Sequence, residues 1–187
     1  MKDFGLSRNV PVKPGATALL FVDVQNYSMP GGGEYAHLTP EEIERRYGYF
    51  FREMRGRAVP NMRRLQESCR EARVEVMYTV IEAIAPVGDE IVIPKTSSSV
   101  FISTNIHYVL GNLGVRHLIV AGVLTDQCVD STVRDACDFG YLVTLVTDAC
   151  ATQSEERHRS SIANNRGYCR QVTTDDMVSE LSALRPR

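Results

Sequence analysis

The sequence predicts an α/β domain of three layers, with helices on both faces of a mostly parallel central sheet of about six strands. Three observations predict it. Short, nearly continuous apolar runs alternate with segments of helical spacing. The runs are rich in β-branched residues, as strands buried on both faces are. Two of the helical segments end on a glycine just before a strand begins, at Gly114 and Gly140. A β–α alternation of this kind favours parallel strands, because each return to the same end of the sheet needs a crossover.

Taken in order, Thr17–Asp23 (TALLFVD) reads as the first strand. Gly31-Gly32-Gly33 follows as a loop, either a mobile turn or part of a pocket rim. It is not a phosphate loop, because no helix opening on Lys-Ser/Thr comes after it. Thr39–Arg55 reads as a helix, with a threonine cap, proline at the first position and acids in the first turn. Arg57–Ala72 carries helical spacing, and Val74–Ile81 and Glu90–Ile93 read as strands. Thr104–Leu113 is helical, His117–Val123 a strand, Gln127–Phe139 a helix and Leu142–Thr147 a strand. Ser154–Gly167 and Thr174–Leu184 complete the helices, the last with an acidic start at Asp175 and Asp176. No repeat or linker divides the chain, so residues 1–187 read as a single domain.

Bulk properties exclude several functions. A formal net charge of −2 without a basic block gives no electrostatic case for nucleic acid or an anionic membrane. The N-terminal stretch makes a poor leader, since Asp3 comes early and the apolar run Ala18–Val22 is short. No run approaches the ~18 apolar residues that span a bilayer. Five widely spaced cysteines (Cys69, Cys128, Cys137, Cys150, Cys169) read as reduced thiols in a cytoplasmic protein. Without a Cys-x-x-Cys pair or metal-ligand spacing among the four histidines, no metal site or other cofactor is expected.

In open parallel sheets, ligands bind beyond the carboxyl ends of the strands. Three chemistry-bearing residues fall there: Asp23 closes the first strand, Lys95 follows EIVIP, and Cys128 lies just past HLIVAGV where a helix begins. Each has a structural alternative, as turn cap, solvated strand end and packing residue. Together they compose a mechanism, in which helix dipole and lysine favour the thiolate and the carboxylate takes the proton.

At this point the motifs ALLFVDVQN, GDEIVIPKTSSSVF, GVLTDQCVDSTVRDACDFGY and TDACAT resemble those of the isochorismatase-like cysteine hydrolases, a family with Rossmann-type topology. That family includes N-carbamoylsarcosine amidase, ureidoacrylate amidohydrolase and nicotinamidase. The resemblance implies a catalytic triad of Asp23, Lys95 and Cys128 and a cis peptide between Val123 and Leu124. It also implies an oxyanion hole built from the backbone N–H groups of Leu124 and Cys128. The implied reaction is a two-step acyl transfer through a thioester. The other four cysteines read as structural.

An intact triad favours the amidase branch, with a small amide, ureido or carbamoyl substrate. The alternatives are a vinyl ether hydrolase of the isochorismatase type, a binding protein that keeps the fold without turnover, and a redox sensor at Cys128. No histidine lies between Val80 and Lys95, which disfavours the metal site of nicotinamidases. Gln25 and Asn26 resemble the Asp-x-Gln-Asn of ureido- and carbamoyl-directed members. Glu82 and Phe101 are further candidates for substrate contact, each with a bland reading as a solvated or core residue, whereas Tyr78 and Thr79 read as structural. One feature departs from the family, since only EAIAPV separates VMYTVI from GDE. The pocket is then open, or a lid between Ile81 and Gly88 lies outside this sequence. The family forms dimers or tetramers, and RRYGYFFREM (45–54) is a candidate interface or a helix packed on its own sheet.

Overall fold

The computed structural model describes residues 8–25, 31–79 and 86–184. Six strands form one sheet: β1 (Thr17–Val22), β2 (Glu75–Thr79), β3 (Ile91–Ile93), β4 (His117–Val123), β5 (Leu142–Ala151) and β6 (Arg170–Val172). Their spatial order is β3-β2-β1-β4-β5-β6, and every neighbouring pair is parallel. β1 is therefore central, with the strand order reversing on either side of it. Beyond the carboxyl ends of β1 and β4 lies the switch-point crevice in which such sheets bind ligands.

Among the described residues, seven α-helices cover the sheet: α1 (Pro40–Glu53), α2 (Val59–Glu71), α3 (Val100–Ser103), α4 (Ile106–Asn112), α5 (Asp130–Asp138), α6 (Glu155–Asn165) and α7 (Thr174–Ser182). The alternation of β1 side chains explains the two cores. Leu19 and Phe21 point to the face holding Phe50 and Phe51 of α1, Leu65 of α2 and Met177 of α7. Ala18, Leu20 and Val22 point to the other, with Val100 of α3, Leu110 of α4 and Val133 of α5. Burying strands on both sides removes the polar face that an exposed sheet would show, which is why β1 and β4 carry only Thr17 and His117 as polar residues.

Local chemistry sets the helix boundaries. Thr39 and Glu42 form a reciprocal capping box at the start of α1, and Thr173 and Asp176 do the same for α7. α1 and α2, expected as separate helices, run into each other through a wide turn at Met54–Ala58. Pro60 accounts for it: lacking an N–H, it cannot bond the carbonyl four residues back, and a widened turn absorbs the defect. The 45–54 run packs on its own sheet, with Phe50, Phe51 and Met54 at most 3% exposed. The expected helix over 104–113 begins at Ile106, and the short α3, capped by Ser99, precedes it.

Two strands depart from expectation. β5 continues past Thr147 to Ala151, because Asp148 is satisfied there by the backbone N–H and hydroxyl of Thr174, both at 2.8 Å. β6, a three-residue edge strand of Arg-Gln-Val, has no apolar pattern to announce it. From Thr79 to Ile91 the chain returns along only three paired positions, roughly 10 Å at 3.3 Å per residue. Of this connection, residues 86–90 are described. Its end is tied down by Glu90, which accepts from Arg70 at 2.7 and 2.9 Å and from the Tyr78 hydroxyl at 2.7 Å. Among the described residues, no helix is long and apolar enough to cross a membrane.

Candidate active site

Asp23 leaves β1 with a φ of +52°, a left-handed conformation that aspartate tolerates better than most residues. It turns the chain out of the sheet and holds the carboxylate at the strand end. Lys95, two residues beyond β3, places Nζ 2.6 Å from Asp23 Oδ2 and donates to the Ser97 carbonyl at 2.7 Å. The two side chains are 6% (Lys95) and 16% (Asp23) exposed, so solvent screens the pair far less than a surface ion pair. Thr79, expected to be merely structural, completes the arrangement. Its hydroxyl donates to Asp23 Oδ1 at 3.0 Å, and the Asp23 N–H is shared between that hydroxyl oxygen and the Thr79 carbonyl, at 3.0 and 3.2 Å. No motif marks this threonine in the sequence; its position at the end of the strand beside Asp23 is the available signal.

Cys128 sits in a wide turn, Thr125–Val129, and regular helix begins only at Asp130, three residues later than the spacing predicts. Its thiol meets both the Asp23 carboxylate and the Lys95 ammonium. Burial pushes the thiol pKa up to about 11, the hydrogen bond and charge of Asp23 add to that, and Lys95 opposes them. Lys95 favours the thiolate, as expected, but desolvation and the neighbouring carboxylate outweigh it.

The peptide bond between Val123 and Leu124 is cis. Gly122 just before it has a φ of +132°, and a Cβ there would lie 2.2 Å from the Val22 carbonyl oxygen. The following turn is clamped to α6. Thr125 Oγ1 and His158 Nδ1 are 2.9 Å apart, Ser161 Oγ donates to the Thr125 carbonyl at 3.0 Å, and Arg157 Nε donates to Asp126 at 2.5 Å. Burial holds the His158 imidazole below its ordinary pKa.

A cavity of about 150 Å³ opens over the thiol. Asp23, Gln25, Val123, Leu124 and Cys128 line it, as do Glu34, Tyr35, Phe50, Gln127 and Gln153. A larger open hollow of about 940 Å³ runs along α6, but neither Asp23, Lys95 nor Cys128 reaches it. The smaller space therefore holds the chemistry. Of the expected substrate contacts, Gln25 faces the cavity, and Asn26 and Glu82 lie outside the described residues. Phe101 is corrected to the core: it is 6% exposed and packs on Phe139 and Tyr141, with centroids 5.3 and 5.8 Å apart. Cys69, Cys150 and Cys169 are buried, and Cys137 is half-buried with its thiol against the Tyr168 carbonyl. Among the described residues, no group of three His, Cys, Asp or Glu is arranged to hold a metal ion.

Glu34 and Tyr35 escaped the sequence reading because they sit in the short turn after the glycine run. Tyr35 is fixed against Tyr47 and Phe51, at 4.6 and 5.3 Å between centroids. Burial and then the Glu34 charge raise its phenol above the ordinary range.

A family model described as Isochorismatase domain matches residues 79–177. The chain is 30% identical over 143 residues to the uncharacterized isochorismatase family protein YddQ of Bacillus subtilis (strain 168), covering 73% of this chain and 78% of that protein. That alignment has room for few gaps. The chain is also 29% identical over 188 residues to the ureidoacrylate amidohydrolase RutB of Agrobacterium fabrum, covering 75% and 78%. A crystal structure of a cysteine hydrolase from Pseudomonas syringae pv. phaseolicola 1448A superposes with a TM-score of 0.78 at 22% identity, over 94% of this chain and 97% of that one. The last likeness bears on the fold alone.

Proposed function

The chain belongs to the isochorismatase family, and from that premise we propose that it is a cysteine hydrolase cleaving the C–N bond of a small amide, ureido or carbamoyl compound. One observation carries the reading. A half-buried thiol meets a carboxylate that is itself held 2.6 Å from a lysine, at a cavity sized for a small molecule. The likeness to a ureidoacrylate amidohydrolase supports the choice of bond.

In this reading Asp23 takes the Cys128 proton as the sulfur attacks the substrate carbonyl, forming the C–S bond. The tetrahedral oxyanion is held by the backbone N–H groups of Leu124 and Cys128, where losing one donor typically costs ~3–4 kcal/mol. Asp23 returns the proton to the departing nitrogen as the C–N bond breaks, leaving a thioester. Water then attacks the thioester, giving its proton to Asp23, and the acid leaves as the thiol is restored. Lys95 keeps Asp23 oriented and offsets negative charge on both partners.

The test is ammonia release from a panel of small primary amides and ureido compounds, by the native protein and by Cys128→Ala. Release that falls at least about a thousandfold in the variant, with hydroxylamine trapping a hydroxamate from the native enzyme, supports the thioester route. Release that survives in Cys128→Ala removes the thiol from the mechanism. Cleavage of a vinyl ether by both proteins, without amide turnover, would point to Asp23 acting alone as an acid.

A further inference from the structure

We propose that the site selects substrates whose distal end is neutral or cationic, with Glu34 as the group that reads it, and rejects amides carrying a free carboxylate. The inference rests on the thiol hydrolase reading and narrows its substrate class.

The charges around the cavity carry the argument. Its lining brings two carboxylates, Asp23 and Glu34, and among the described residues no lysine, arginine or histidine. Lys95 is committed to Asp23 at 2.6 Å and to the Ser97 carbonyl at 2.7 Å, so its charge is spent on the neighbouring carboxylate. Among the described residues, Arg157 brings a guanidinium to the cavity residue Gln153. It donates to Asp126 at 2.5 Å and to the cavity residue Gln153 at 2.6 Å, which turns its donors towards protein acceptors.

A substrate carboxylate entering this space would lose water, find no cationic partner and face Glu34 at close range. All three effects disfavour binding. An ammonium, amidine or ureido N–H at the same place meets an acceptor. Glu34, itself exposed, is suited to that role because its neighbour Tyr35 is buried and locked by Tyr47 and Phe51, which fixes the turn carrying the carboxylate to the cavity wall. The amides of Gln25, Gln127 and Gln153 supply neutral donors and acceptors along the same wall, fit for a polar uncharged compound.

The experiment compares three primary amides of one length, β-alaninamide (cationic), butanamide (neutral) and succinamate (anionic), by kcat/KM in the native protein and in Glu34→Gln. Alongside it, the rate of Cys128 modification by a cationic and an anionic methanethiosulfonate of equal size is read by peptide mass spectrometry. The second measurement needs no turnover, so it reports on the cavity even if the hydrolase reading fails. The expected result is faster reaction of the cationic member in both series, with the cation-to-anion ratio dropping by about tenfold in Glu34→Gln. Preference for succinamate and for the anionic reagent would overturn the proposal. So would a ratio left unchanged by the substitution. Cys128→Ala that keeps amide turnover, with the reagent ratio behaving as expected, would instead refute only the thiol mechanism.

Discussion

Replacing Gly122 by alanine tests how the sheet builds the site. The residue pairs with Val22 across β1 and β4, and its φ of +132° is one that side chains rarely adopt. The added Cβ would fall 2.2 Å from the Val22 carbonyl oxygen and 2.6 Å from the Val22 nitrogen. Both are backbone atoms of the central strand, so neither can swing aside. Carbon contacts become comfortable at ~3.5 Å, and the two strand ends must therefore part by about 1 Å. Backbone strain of ~1–3 kcal/mol and overpacking of similar size together predict a destabilisation of about 3–5 kcal/mol. Activity should suffer further in the molecules that fold, because Asp23 directly follows Val22 and Leu124 lies two residues past Gly122. A misplacement of about 1 Å between reacting groups costs on the order of a hundredfold in rate. Urea unfolding, with its slope checked for two-state behaviour, measures the first effect, and kcat on the best amide of the panel measures the second. A variant whose unfolding free energy stays within about 0.5 kcal/mol of the native protein, with kcat unchanged, would refute this account of the glycine.

Further predictions come from the polar contacts at the ends of β2 and β3 and from the environment of the thiol. Thr79→Val keeps the shape of a fully buried side chain but removes the hydroxyl on Asp23. It should cost ~1.5–3 kcal/mol of stability in urea and lower kcat more than it raises KM. Glu90→Gln strips the charge that faces Arg70, the Tyr78 hydroxyl and the Val87 N–H at the start of β3. It should lower unfolding free energy by about 1.5–3 kcal/mol, and a loss under about 0.5 kcal/mol would show that the network does not anchor this edge. Iodoacetamide labelling of Cys128 should keep accelerating as pH rises towards about 11, rather than levelling off near 9. Lys95→Met, which removes the group favouring the thiolate, should slow labelling at every pH below that point.

The parts of the fold legible in the sequence are those fixed by local chemistry or by complete burial. The runs TALLFVD and HLIVAGV are nearly continuous in apolar residues because β1 and β4 are buried at every position. Thr39 announces α1 because its hydroxyl and the Glu42 carboxylate act within three residues of each other. What stayed hidden depends on distant partners. β6 is Arg-Gln-Val, too short to show a pattern, and its strand character comes from pairing along the edge of β5. The role of Thr79 requires knowing that β1 and β2 pair in the register that sets Val22 beside Thr79, so that its hydroxyl meets the next residue, Asp23. Glu34 and Tyr35 follow three glycines and carry no periodicity; their place at the cavity comes from packing of Tyr35 on α1. Aspartate, lysine and cysteine were readable for the opposite reason. Each ends or follows a strand run, and parallel strands deliver their carboxyl ends to one edge.

The raised thiol pKa also separates catalysis from redox sensing at Cys128. A sensor cysteine reacts with peroxide as the thiolate, so it needs a low pKa and open access. Here burial and the Asp23 carboxylate keep the proton on sulfur at neutral pH, with Lys95 only partly offsetting them. The same arrangement suits a nucleophile activated on demand, because Asp23 stands ready to accept the proton when a carbonyl carbon arrives to take the sulfur lone pair. In the proposed mechanism charge would then move from carboxylate to substrate oxygen without a free thiolate building up. Peroxide at pH 7 should therefore oxidise Cys128 no faster than an ordinary free thiol, as read by dimedone labelling and peptide mass spectrometry. In the same protein, turnover of the favoured amide should be abolished by stoichiometric alkylation of that one residue. Rapid sulfenylation at neutral pH, well ahead of a model thiol, would reverse the argument and make oxidation the chemistry for which this cysteine is placed.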